Sequence, residues 1–465
     1  MNEAPPLVTR RSALQQATCG FGSVALAGLM QQSGLAAASN PLLPKQPHFV
    51  PRAKSVIFLF MRGGPSQVDS FDYKPELTKR HEENLGGGRR YYQSPWEFTQ
   101  YGQCGLPVSS LFPHTGRYAD DLCVINSMHT DIGNHPQAIV QMLTGSFQFV
   151  RPSVGSWTVY GLGTENQNLP GFLSINSDFS AGGARKYGCA FLPSATAGTA
   201  INSWGGGDSK IIPPALKDFE IPHTKNKTYT RMEQREQLDL LQSLNRNRLA
   251  QDGANPALEG IIHSYETAFR MQADLPDVLN VDQEPERVLK RYGINEDPTD
   301  DFGRACLTAR RAVEAGVRYV QLNIGFWDQH TKIEEGHPAL AAKSDLPVAG
   351  LIADLKERGL FDDTLIVWTG EFGRPPIYNK NNGRDHNAEG FTAWLAGGGA
   401  KGGLRYGLTD ELGYKSVEKK VHLHDLHATM LHILGLDHER LTYRYGGRDF
   451  RLTDVHGKVV HDLLA

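Results

Sequence analysis

The chain predicts an α/β protein built on a mostly parallel central sheet with helices on both faces. Three observations carry this. Its apolar runs are short and continuous rather than alternating, as in strands buried on both faces. Helical patterns separate those runs, so strand and helix alternate along the chain. Almost every run stops on glycine or on a polar cluster, where a strand hands over to a loop.

The elements follow in order. "SVIFLFM" (55–61) is a buried strand stopped by "RGGPS". "LCVINSM" (122–128) is a second strand, and "PQAIVQMLTG" (136–145) a helix with Pro in its first turn and Gly as its stop. "FGRACLTARRAVEAG" (302–316) turns Leu307, Ala309 and Val313 inward and ends at Gly316; "VRYVQLNIG" (317–325) follows as a strand. "ALAAKSDLPVAGLIADLKERGL" reads as a helix interrupted near Asp345-Leu346-Pro347. "DTLIVWTG" (363–370) and "FTAWLAGGG" (391–399) are two further buried strands, and "DLHATMLHILG" (425–435) is a closing helix. The stretch from about 205 to 300 is polar and has no buried-strand pattern. It reads as a helical insertion carrying "TRMEQREQLDLLQSLNRNRL" and "ALEGIIHSYETAFRMQ" within one domain spanning 39–465.

Residues 1–38 read as a leader. A twin-arginine pair in "TRRSAL" precedes the mild apolar stretch "CGFGSVALAGLM" and the small residues of "GLAAAS", with a cut expected near Ala38–Ser39. This predicts export by the twin-arginine machinery to the periplasm or outside, often with a cofactor already inserted. The run is too short and too rich in Gly, Ala and Ser for an anchor, and no later segment is apolar enough to span a bilayer. A net charge of −3 gives no basic face for nucleic acid. Cys104, Cys123, Cys189 and Cys306 form no CxxC, which excludes a zinc ribbon and fixes no disulfide.

In open α/β sheets ligands bind beyond the carboxyl ends of the strands. Ser66, Asp69 and Asp72 follow the first strand there; His129, Asp131, Asn134 and His135 follow the second. Asp328, His330 and His337 follow "VRYVQLNIG"; Glu371 and Arg374 follow "TLIVWTG"; Asp385 and His386 precede the last strand. Singly, each reads as a cap, a turn or a structural histidine. Together, so many acidic groups on one edge would repel one another without a cation. Mixed Asp/Glu/His ligation favours one or two Zn²⁺ or Mn²⁺ ions, with Ca²⁺ or Mg²⁺ left open. The ligand set expected is Asp69, Asp328, His330, His337, Glu371, Asp385 and His386. Two of the histidines in "VHLHDLHATMLHILG", His424 and His427, share a helix face, but Asp425 is placed to cap a helix whose Leu426, Met430, Ile433 and Leu434 pack inward, so a structural role is expected there.

These segments resemble the alkaline phosphatase/sulfatase superfamily, and more closely its uncharacterised exported family, domain of unknown function 1501. The resemblance covers nearly all of the chain after the leader. It rests on "GGPSQVDSFD", "GNHPQAIVQMLTG", "RACLTARRAVEAGVRYVQLNIGFWDQH", "TGEFGR", "GRDHN", "LAGGGAKGG" and "HDLHATMLHILG". It implies an alkaline-phosphatase-like three-layer sandwich and a metal-dependent hydrolase of sulfate or phosphate esters. The strand-end Asp of the superfamily is replaced by Met61-Arg62-Gly63, with Asp69 as the substitute from further along the loop. Phe372 stands where a second acidic ligand is usual, and the final His ligand resembles His386. The nucleophile position falls on His135 or Asn134, in "GNHPQ", so formylglycine chemistry is not expected. Attack by a metal-activated water, by His135 itself, or binding without turnover all follow from that departure. Arg374, Arg384 and His129 are assigned to the anionic substrate, a sulfated polysaccharide among the candidates; for the two arginines the alternative is an ion pair at the sheet edge. The competing function is a catalytically degenerate binding or scaffolding protein outside the cytoplasm. The enzyme reading requires Asp69, Asp328, Glu371 and His386 to converge.

Overall fold

The structure, a computed structural model, describes residues 40–177, 181–202, 216, 228–252 and 255–465. The expected leader, its cleavage site and part of the expected insertion lie outside the described residues. The central sheet has nine strands: β1 (Ser55–Met61), β2 (Leu122–His129), β3 (Phe172–Ile175), β4 (Thr199–Ile201), β5 (Tyr319–Ile324), β6 (Thr364–Thr369), β7 (Phe391–Ala396), β8 (Leu404–Tyr406) and β9 (Val421–His422). Their order is β8-β2-β7-β6-β1-β5-β3-β4, with β9 also paired to β2. β1 sits at the centre, parallel to β6 through pairs such as Ile57 with Ile366 and to β5 through Phe58 with Gln321.

One strand departs from the parallel rule. β7 runs antiparallel to both neighbours, pairing Trp394 with Trp368 on one side and with Val124 on the other. Because it is reversed, its start, not its end, lies at the edge where β1, β2, β5 and β6 finish. Residues just ahead of β7 therefore join residues just after the other strands.

Continuous apolar strands bury both faces, and the alternation of side chains separates them. Ile57, Leu59 and Met61 of β1 enter one core with Leu307 and Ala309 of α5 (Asp300–Glu314) and Leu351 and Ile352 of α6 (Ile333–Glu357). Val56, Phe58 and Phe60 enter the other with Ile139 and Met142 of α1 (His135–Thr144), Trp157 of α2 (Val154–Leu162) and Leu426 and Met430 of α7 (Leu423–Ile433). Each such side chain contributes about 1.5–3 kcal/mol of burial, so the two cores hold the strand ends rigidly in place.

Local expectations fare unevenly. α1 carries Pro136 in its first turn and ends on Gly145 in the left-handed conformation (φ +74°). α7 starts with a capping box in which Asp425 accepts the His422 amide at 2.9 Å. The interruption expected near Asp345-Leu346-Pro347 is absent: α6 is continuous over Ile333–Glu357 with Pro347 inside it. Packing outweighs the lost hydrogen bond, since Val348, Leu351, Ile352 and Leu355 are buried. Asp345 also anchors that turn by accepting the backbone amides of His114 and Thr115 at 2.7 and 2.8 Å.

The charged stretch forms α3 (Arg231–Asp252) and α4 (Pro256–Leu279), tied by Arg235 to Glu266 at 2.9 Å, and no strand occurs among the described residues between 228 and 300. All four described cysteines are free. No described helix is long and apolar enough to cross a membrane.

Candidate metal centre

Three loops at the carboxyl edge of the sheet supply one cluster. His135 opens α1, a turn after β2; Asp328 and His330 follow β5; His386 stands ahead of the reversed β7. Ligand atoms of His135, Asp328, His330 and His386 lie within 4.8 Å of one another. The Nε2 atoms of the three imidazoles are 3.0, 3.1 and 3.3 Å from a single oxygen, Asp328 Oδ1.

Each imidazole is held from behind. His135 Nδ1 meets Glu371 Oε1 at 2.5 Å, His330 Nδ1 meets Asp385 Oδ1 at 3.1 Å, and His386 Nδ1 meets the Gly133 carbonyl at 2.7 Å. A carbonyl accepts only, so these partners place the neutral proton on Nδ1 and turn the Nε2 lone pairs inward. This is the arrangement by which outer carboxylates and carbonyls orient metal-binding histidines. Without a positive charge among them it is unfavourable: His330 Nε2 and His386 Nε2 are 2.8 Å apart. His135 Nε2 is buried and aligned with no hydrogen-bond partner, although it lies 3.0 Å from Asp328. The donor set and this orphaned nitrogen both fit a divalent cation.

Electrostatics agree. Burial opposes charge on His135, but contacts with Asp328 and Glu371 outweigh it and raise its pKa. Burial would likewise raise Asp328, yet His135, His386 and the Arg374 charge hold its carboxyl far below the usual range. Burial acts against the Asp385 carboxylate, which Asn379 and His330 nonetheless keep below its ordinary value. The cluster opens to solvent, with Asp328 32 % and His330 41 % exposed, so a substrate can reach it.

The other expected residues lie around this cluster. Glu371 is fully buried, accepting the Gly63 amide on both oxygens at 2.9 and 3.1 Å, and stands behind His135. Asp385 stands behind His330 in the same way. Asp69 is brought to neither: it is fully buried and paired with Arg384, Nε to Oδ2 at 2.7 Å and Nη2 to Oδ1 at 3.1 Å. The convergence required of Asp69, Asp328, Glu371 and His386 is therefore not met as a set of four: Asp69 and Glu371 stay outside, and Asp328 and His386 meet His135 and His330 instead. His337 is buried beneath the first loop, its Nε2 accepting the Ser66 amide at 3.1 Å, and burial pushes its pKa down to about 3. His129 points its Nδ1 at the Val421 carbonyl at 3.1 Å, and burial lowers its pKa. Asn134 is exposed at the N-cap of α1 and makes no side-chain capping bond.

The two arginines assigned to the substrate have partners inside the protein. Arg374 is fully buried, giving Nε to Gly64 O (3.0 Å), Nη1 to Arg384 O and Asp385 O (3.1 and 3.4 Å), and Nη2 to Gly63 O and to Asp328 Oδ1 (2.7 Å for the latter). Arg384 adds the carbonyls of Pro375 and Tyr92 to Asp69. Guanidinium donors committed in this way are not offered to an anion in the open cleft. The sheet-edge ion pair, the alternative reading of both, describes their surroundings.

Three further residues shape the site: Gly63 and Phe372, which stand where the resemblance implied acids, and Lys186, which sequence reasoning passed over. Gly63 occupies the strand end where an acid was expected; its φ is +106°, and a Cβ there would lie 2.5 Å from the Trp327 amide and 2.8 Å from that of Asp328. Phe372, in place of a second ligand, packs against His135 and His386 with ring centroids 4.6 and 4.7 Å away. Lys186 is buried near Glu371, its pKa lowered to about 7 by burial and then by Arg62. A single Lys in "GGARKYG" carries no signal that would have placed it there.

Fold and site together define an α/β protein with a candidate divalent-metal centre at the carboxyl edge of its sheet. The chain belongs to the family described as "Protein of unknown function (DUF1501)", whose profile matches residues 53–464. No curated protein matches the chain. Solved structures similar in fold include Ps i-CgsB, at 12 % identity and TM-score 0.39 over 82 % of this chain and 72 % of that one. Phosphonate monoester hydrolase SpPMH from Silicibacter pomeroyi matches at 12 % and 0.37, over 88 % of this chain and 76 % of that one. Alkaline phosphatase from the Antarctic bacterium TAB5 matches at 11 % and 0.32, over 84 % and 99 %. At these identities and scores no activity transfers from one chain to the other.

Proposed function

We propose that the protein is an exported, metal-dependent hydrolase of sulfate or phosphate esters. The observation that carries the reading is the convergence of three Nε2 atoms on Asp328 Oδ1, with each Nδ1 held by an oxygen. His135, Asp328, His330 and His386 would hold the ion. A bound divalent cation supplies Lewis acidity toward an ester oxygen and lowers the pKa of water.

The chain's own residues do the rest. Glu371 keeps the His135 proton on Nδ1, Asp385 does so for His330, and the Gly133 carbonyl for His386. Arg374 fixes Asp328 and joins the loops after β1 and β6 to the segment ahead of β7. Phe372 walls one side of the cluster and limits water on that face. With His135 committed to Glu371 and Asp328, its role in this reading is that of a ligand. Thr130 is not offered as a nucleophile either, since its hydroxyl donates to Gln141 at 3.1 Å. Water is then the attacking group. The leader of residues 1–38 supports export, and the α3–α4 pair is read as an insertion in a single domain.

The test is elemental analysis of the mature protein, followed by assays with aryl sulfate, aryl phosphate, phosphate diester and phosphonate ester. The reading expects bound Zn or Mn, turnover of at least one ester class, and loss of both in His386→Ala. A metal-loaded protein inert toward all four classes would favour the scaffold or binding role, for which the glycine at the β1 strand end speaks. Protein that neither carries metal nor takes it up refutes the reading.

A further inference from the structure

We propose that the centre takes one divalent ion, not two, and that the buried guanidinium of Arg374 supplies the second positive charge. This rests on the metal reading above and specifies its stoichiometry.

A second ion needs a second group of converging ligands, and most carboxylate oxygens at this edge are already committed. Asp69 has both oxygens on Arg384, and both residues are fully buried. Glu371, also fully buried, has both oxygens on the Gly63 amide and Oε1 on His135 as well. Asp385 Oδ1 takes His330 Nδ1 and the Asn379 amide at 3.1 and 3.0 Å. Asp328 Oδ1 takes Arg374 at 2.7 Å beside the three imidazoles. Among the described residues, His135, Asp328, His330 and His386 form the only group with metal-ligand spacing.

Charge leads to the same stoichiometry. Asp328, Glu371 and Asp385 bring three negative charges, the imidazoles are neutral when ligating, and Arg374 brings one positive charge. With Arg62, whose charge also acts on Glu371, one divalent ion already outweighs the remainder. A second would leave a large positive excess next to a guanidinium that is fully enclosed and donates to the carbonyls of Gly63, Gly64 and Arg384, so it cannot swing away. Buried charges are tolerated only when compensated.

Metal-free full-length mature protein titrated with Mn²⁺ tests this, with bound ion counted by elemental analysis and its environment read by electron paramagnetic resonance. The expected result is one Mn²⁺ per chain and an uncoupled spectrum at every concentration. Two ions per chain with a spin-coupled spectrum would overturn the inference while leaving the metal reading intact; no bound ion would overturn the metal reading itself. Arg374→Lys, which keeps the charge, is expected to hold one ion. Arg374→Met, which removes the charge and leaves Asp69 and Glu371 paired as before, is expected to bind its one ion more tightly, and a folded Arg374→Met protein of unchanged affinity would remove Arg374 as a source of positive charge at the centre. Should that variant not fold, the wild-type count and spectrum decide alone.

Discussion

Asp69 separates a ligand from a structural ion pair more sharply than any other residue. Asp69→Ala removes two charge-assisted hydrogen bonds and leaves Arg384 charged, enclosed and half-partnered. Removing one partner of a buried ion pair costs about 3–5 kcal/mol, because the other charge stays desolvated. Unfolding entropy of about 2.1 cal/mol/K per residue over roughly 400 residues makes each kcal/mol worth about 1.2 °C. The variant is therefore expected to lose about 4–6 °C in Tm while keeping its full metal content. Calorimetry and elemental analysis on one sample read both quantities. Asp69→Leu combined with Arg384→Met, which removes both charges, is expected to recover part of the loss. Metal lost from Asp69→Ala at unchanged Tm would refute the reasoning and return Asp69 to the ligand set.

Three further outcomes are expected. Glu371→Gln, which weakens the hold on His135 Nδ1, should lower metal affinity about 10–100-fold, as outer partners of ligating histidines do; an unchanged dissociation constant would detach Glu371 from the centre. Gly63→Ala should distort the Trp327–Asp328 backbone, lowering both Tm and metal content, and a variant matching wild type in both would contradict the close approach at that φ. Burial pushes the pKa of His427 down to about 3 and of His424 to about 4. The unfolded chain therefore binds protons near pH 6.5 that the folded chain refuses, so this stability is complete above pH 6.5 and is lost as pH falls toward 4. Denaturant titrations at pH 7.5 and 5 should show His427→Gln less acid-sensitive than wild type; equal sensitivity would exclude His427 as a cause.

Much of the fold is legible in the chain because burial on both faces writes itself as continuous apolar runs. Ser55–Met61 and Thr364–Thr369 are examples, and Pro136 and Gly145 bracket α1 as their backbone preferences demand. Pro347 misleads because propensity is local while the packing that overrides it is not. The reversal of β7 has no sequence mark, since an antiparallel strand between two parallel segments is as apolar as its neighbours. At the site, the gathering of acids and imidazoles after the strands is visible, but their partners are not. Asp69 meets Arg384 across 315 positions, and Glu371 meets His135 across 236. Which carboxylate faces the open cluster and which is spent inside is therefore decided by tertiary structure alone.

The most direct measurement is anomalous diffraction from crystals of the mature protein loaded with Zn²⁺. The account predicts one strong peak within bonding distance of Nε2 of His135, His330 and His386 and of a carboxylate oxygen of Asp328. No peak there, or a peak centred on Asp69 and His337, would contradict it.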